Sequence, residues 1–151
     1  MTLSFKPLTP ALAATSPLAG DLLRAPLRAR VLVVDDNVDA ADTLGEVLQL
    51  FGHDVRIVYT GEDALSTLDD FHPDCALLDI GLPGINGHEL AMRIRASSNV
   101  SVSGCRLVAI SGWGSPQDRQ RSAEAGFDAH HTKPVDPYLL QQLLIELLAP
   151  G

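Results

Sequence analysis

Polar residues able to do chemistry together stand where four of five short apolar runs give out: Asp35 and Asp36 after 31–34, Asp79 after 75–78, Ser111 after 107–110 and Lys133 after 128–132. If those runs are strands of one parallel sheet, the residues just past them gather at the sheet's carboxyl edge, where open α/β folds bind ligands. Three carboxylates, a hydroxyl and an ammonium would then converge. Close carboxylates repel one another and hold their protons more tightly unless a cation sits among them, and hard oxygen donors suit Mg²⁺. Mg²⁺ takes few protein oxygens and leaves positions open for a phosphoryl group. Phosphoryl transfer requires charge neutralisation on the equatorial oxygens, and metal, Lys133 and the Ser111 hydroxyl could each take one. Asp79 is then the nucleophile that becomes an acyl phosphate.

The elements that must position these residues follow from periodicity. Apolar runs at 31–34, 55–59, 75–78, 107–110 and 128–132 alternate with segments of helical spacing, which predicts an open, doubly wound parallel sheet with crossover helices. Leu44, Val47, Leu48 and Phe51 recur on one helical face up to Gly52, and Ala64, Leu65 and Leu68 do so ahead of Pro73. Leu90, Met92 and Ile94 mark a third helix. A polar fourth over 115–125 is stopped by Gly126, and an apolar fifth over 137–148 starts at Pro137 with Asp136 as its cap. The prediction is five strands and five helices over 30–149. Residues 1–29 differ: Pro7, Pro10, Pro17 and Pro26 among Ala, Leu, Ser and Thr give an extension of tail composition, with a short helix over 18–25 compatible with its pattern.

V-V-D-D-N at 33–37, L-L-D-I-G-L-P-G-I-N-G at 77–87, A-I-S-G at 109–112 and T-K-P at 132–134 resemble the response-regulator receiver domain of two-component signalling. Their order, one motif after each of strands one, three, four and five, makes the combination specific. The resemblance implies a flavodoxin-like sheet in order 2-1-3-4-5. It makes Asp36 the direct metal ligand, Asp35 a contact mainly through water, Asp79 the phosphoryl acceptor and a metal ligand, and the Gly81 carbonyl a further metal contact. Ser111 becomes the switch hydroxyl, and Lys133 the phosphoryl contact with a cis bond to Pro134. The implied partners are a sensor histidine kinase or histidine phosphotransfer protein and a separate downstream protein. The fourth and fifth predicted helices with the fifth strand would offer a homodimer surface. Such a domain is a phosphorelay acceptor, not a turnover enzyme on an external substrate, and the G-F-D-A-H-H-T-K-P-V-D wording resembles receivers serving hybrid sensor kinases. Because no output domain follows 149, a stand-alone receiver is expected. One position departs from the family: His130 stands where Phe or Tyr usually precedes the lysine by three residues. A histidine would fill the space behind the switch hydroxyl only in part and favours the neutral ring there.

Other chemistries fit less well. A phosphatase of the haloacid dehalogenase type places its nucleophile after the first strand in a D-x-D pattern, whereas this chain has Asp35-Asp36-Asn37 there. The net charge is -8, and residues 30–151 hold eight basic against eighteen acidic groups, which opposes a nucleic-acid partner. No apolar stretch approaches the ~18 residues of a membrane span. Cys75 and Cys105 lack metal or disulfide spacing and are expected as core thiols of a cytoplasmic protein. His53, His72, His88, His130 and His131 are scattered and make no zinc site. Trp113, two residues past Ser111, is expected at the mouth of the site.

Overall fold

Aliphatic and β-branched runs too short for a helix are stable as strands when both faces are covered, and the computed structural model, which describes residues 28–149, has them so. β1 (Arg30–Val34), β2 (Asp54–Val58), β3 (Cys75–Asp79), β4 (Arg106–Ser111) and β5 (Ala129–Thr132) pair in parallel in the order β2-β1-β3-β4-β5. Successive residues of a strand face opposite sides, so β1 divides its side chains between two cores. Val31 and Val33 pack with Leu48, Leu140 and Leu144, and Leu32 and Val34 with Leu68, Phe71, Leu90 and Ile94.

Helices begin where a side chain can accept the orphan amide protons of the first turn. Asn37 caps α1 (Val38–Leu50), Thr60 caps α2 (Gly61–Phe71), Asn86 caps α3 (Gly87–Arg95) and Asn99 caps α4 (Val100–Ser103). Ser115 caps α5 (Pro116–Ala125) in a reciprocal box with Asp118, and Asp136 caps α6 (Pro137–Leu148). The described residues thus hold six helices against the five expected. The addition, α4, is a single turn, too short for a hydrophobic repeat to register. Strand limits also shift: Asp128 lies outside β5 because its carboxylate accepts the Leu107 N–H at 2.8 Å, and Tyr59 follows β2 with its hydroxyl on Asp42. The apolar face of α6 is wider than its buried stripe, for Leu140 and Leu144 are buried while Leu139 is exposed. Residues 1–27, and with them the expected helix at 18–25, lie outside the described residues.

Two polar networks join elements distant in sequence. His53 is buried, accepting the Ala29 N–H on Nδ1 at 3.1 Å and donating from Nε2 to Gln141 Oε1 at 2.7 Å, so it ties the start of β1 to α6. Arg95 donates to the carbonyls of Gly126, Ser103 and Cys105 at 2.9, 2.8 and 2.6 Å and to Asp128 at 2.8 Å, holding the ends of α3, α4 and α5 against β4. Cys75 and Cys105 are buried free thiols, as expected. Replacing Arg95 by Met keeps the apolar stem and removes four bonds, some of them charge-assisted. Urea denaturation of Arg95→Met is expected to show a loss of about 3 kcal/mol with an unchanged m-value.

Candidate functional site

β3 ends on Asp79, β4 ends on Ser111 and β1 passes directly into Asp35, so three central strands deliver their last polar side chains to one edge. The ladders continue past the apolar segments: Asp35 N–H donates to the Val58 carbonyl at 3.3 Å and Ile80 N–H to that of Ile110 at 3.0 Å. Asp79 and Ser111 are therefore strand residues and not, as expected, the first residues beyond. Lys133 follows β5, its N–H on the Ser111 carbonyl at 2.7 Å, and its bond to Pro134 is cis as the motif implied. Gly87 lets α3 approach, since a Cβ there would lie 2.7 Å from the Asp79 carbonyl oxygen.

Carboxylate oxygens of Asp35, Asp36 and Asp79 lie within 4.8 Å of one another, Asp35 and Asp79 buried and Asp36 exposed. Lys133 Nζ is 3.5 Å from Asp79 Oδ2 and 3.8 Å from Asp35 Oδ2. Each buried carboxylate has its other oxygen on a backbone amide: Asp79 Oδ1 accepts from Gly81 N–H at 3.0 Å and Asp35 Oδ1 from Asn37 N–H at 2.9 Å. One ammonium faces three carboxylates. Burial raises the Asp35 carboxyl above its ordinary value, with the neighbouring Asp79 adding to the rise and the Asn37 amide opposing it. An all-oxygen donor set with excess negative charge fits a hard divalent cation. A cavity of about 830 Å³ opens at Asp35, Asp79 and Lys133 and runs along Leu44, Val47 and Pro137.

Ser111 is buried and its Oγ accepts the Trp113 N–H at 2.9 Å. Trp113 lies at the surface beside Ser111, 72% exposed. His130 pairs across the sheet with Ala109, and its Nε2 lies 2.8 Å from the Trp113 carbonyl. A carbonyl only accepts, so that nitrogen carries the proton, and in the neutral ring Nδ1 accepts from the Ser122 hydroxyl at 3.0 Å. Ser122 has no chemical signature in the sequence, because a serine in a polar helix reads as solvated. Asn37 does: it follows the acidic pair and caps α1, which brings its amide over Asp35.

The response-regulator receiver domain family model matches residues 31–145, and the chain belongs to that family. It is 34% identical over 111 residues to the DNA-binding response regulator MtrA of Mycobacterium tuberculosis, covering 74% of this chain and 46% of that one. A 14.6 kDa protein from the sodA1 3′ region of Leptolyngbya boryana is 32% identical over 76% of this chain and 86% of its own. The chain spans about half the length of the MtrA relatives. Among solved structures, a CheY-like receiver domain protein from Methanospirillum hungatei superposes with a TM-score of 0.72 at 30% identity over 80% of this chain and 94% of that one. Membership makes the chain a signalling domain of two-component systems.

Because folded Asp35 binds its proton more tightly than the unfolded chain does, its contribution to stability is complete below the unfolded value and is lost as pH rises through the raised one. At neutral pH, without a cation, ionised Asp35 is a net cost. Asp35→Asn is expected to melt a few degrees higher than wild type in EDTA at pH 7, and to gain less from added Mg²⁺. A lower melting temperature in EDTA would contradict the electrostatic account.

Proposed function

We propose that this chain is a phosphorylation-dependent switch that accepts a phosphoryl group from a phosphohistidine onto Asp79 with Mg²⁺ and relays the change to a separate protein. The supporting observation is the approach of Lys133 Nζ to both Asp79 and Asp35 within a cluster of three carboxylates. Asp35, Asp36 and Asp79 would hold the metal, with the Gly81 carbonyl as a further donor. When bound, Mg²⁺ neutralises charge on the phosphoryl oxygens.

The steps assigned to the chain's own groups are few. One carboxylate oxygen of Asp79, beside Lys133, forms the new bond to phosphorus as the phosphorus–nitrogen bond of the donor breaks. The bonding pair leaves with the imidazole nitrogen, which takes a proton from water. Lys133 contacts one equatorial oxygen and the Ser111 hydroxyl donates to another. The donor is a sensor kinase or a phosphotransfer protein, and the acidic surface favours a protein target over nucleic acid. Among the described residues no helix is long and apolar enough to cross a membrane.

Incubation with Mg²⁺ and acetyl phosphate is expected to add one acid-stable, alkali-labile phosphoryl mass. Asp79→Asn keeps the shape without the nucleophile and is expected to take up none while retaining its circular dichroism. Stoichiometric label on that variant would sink the assignment. Asp36→Ala is expected to weaken Mg²⁺ binding roughly tenfold, whereas Lys133→Ala is expected to bind the metal at least as well as wild type and to lose the response to phosphorylation. Calorimetric titration separates the two; equal metal affinity in Asp36→Ala and wild type would remove Asp36 from the site.

A further inference from the structure

Where the family usually has Phe or Tyr three residues before the lysine, this chain has His130, and His130 is held. Its two ring nitrogens engage the Trp113 carbonyl at 2.8 Å and the buried Ser122 hydroxyl at 3.0 Å. Turning the ring would break both bonds and leave the buried Ser122 hydroxyl without its partner. The space behind Ser111 therefore needs another occupant. A cavity of about 330 Å³ lies there, bounded by Ile80, His88, Ser111, Trp113, Ser122 and His130. An indole ring fits within that volume.

Building on the function proposed above, we propose that the moving aromatic of this chain is Trp113, whose indole closes into this cavity when Asp79 carries a phosphoryl group. Three observations carry the inference. Trp113 already borders the cavity, and as the most exposed aromatic of the described residues it has a large apolar surface to bury. The loop joining β4 to α5 has an open end and an anchored end. At Gly112 no heavy atom lies within 4 Å of a Cβ position, while at Gly114 a Cβ would lie 2.6 Å from Thr132 Oγ1, and Arg119 Nε donates to the Gly114 carbonyl at 3.3 Å. The cavity also contains an unanswered polar atom: His88 Nε2 is buried with no hydrogen-bond partner among the described residues.

The chemistry of that atom matches an indole. Burial lowers the His88 pKa, with the Arg121 charge acting in the same direction and Asp118 opposing it, so the neutral ring is favoured. With its proton on Nδ1, the ring leaves a lone pair on Nε2. Tryptophan Nε1–H is a donor only, and fits it. Arg121, in the same wall, supplies a cation that attracts an aromatic face. The trigger is the contact that now restrains the loop, because the Ser111 oxygen accepts the Trp113 N–H at 2.9 Å. When the hydroxyl turns to donate to a phosphoryl oxygen on Asp79, that amide is released in the same movement.

Trp113 is the only tryptophan, so its fluorescence reads the event without interference. The full chain would be titrated with Mg²⁺ and beryllofluoride as the phosphoryl mimic, with ¹⁹F NMR reporting mimic bound at Asp79. Acrylamide quenching is expected to fall several-fold and the emission maximum to move to shorter wavelength, with no change in Asp79→Asn. A downfield indole N–H resonance is expected in the bound state, lost in His88→Leu and restored in His88→Gln, which keeps an acceptor. Bound mimic with Trp113 as quenchable as before would overturn the inference and leave the phosphoryl switch standing. Absence of any bound mimic would overturn both. The wild-type quenching measurement decides even if the His88 variants fail to fold.

Discussion

The site rests on a concentration of like charge held at the end of a parallel sheet. Three carboxylates within 4.8 Å, two of them buried and with a single ammonium beside them, are costly and are tolerated because the backbone shares the load. The amides of Gly81 and Asn37 each hold one carboxylate oxygen. Both amides come from the first residues after a strand, where the chain turns and its N–H groups have no ladder partner. The close approach at Gly87 and the pairing of Lys133 with Ser111 bring α3 and the segment after β5 up to the same edge. Much of the architecture at this end of the molecule positions charge that a cation and a phosphoryl group can use.

Most of this was legible in the sequence for a physical reason. Buried parallel strands demand short continuous apolar runs, and the residue that interrupts each run is the one displayed at the edge. Asp35, Asp79, Ser111 and Lys133 could be placed together from that rule alone, and the order of their motifs identified the fold family. The roles assigned to them remain proposals that rest on chemistry. What stayed hidden was local or long-range hydrogen bonding. The single turn Val100–Ser103 has no hydrophobic repeat, and its signal is one capping asparagine. His53 seemed one of several scattered polar residues, yet its ring joins Ala29 to Gln141 across most of the chain. Ser122 is polar in a polar helix, and only its contact with His130 distinguishes it.

His130 illustrates how a substitution within a shared framework changes the mechanics while keeping the space. An aromatic hydrocarbon or a phenol at this position has at most one polar handle and can swing about its stem. An imidazole with both nitrogens engaged behaves as a brace between β5, the loop after β4 and α5. The brace holds the Trp113 carbonyl but not its exposed indole, so motion passes to that side chain. Size alone would have suggested a smaller version of the same swing; hydrogen bonding gives a different moving part.

The strict parallelism of the sheet has a practical corollary. All five strands start on one side of the domain and finish on the other, so Arg28, just ahead of β1, lies at the rim away from Asp79. A strand of five residues spans roughly 16 Å at ~3.3 Å per residue. A surface tether attached ahead of Arg28 would thus grip the molecule by its base and leave the acidic edge facing the solvent, suiting it to immobilised binding measurements with large donor proteins.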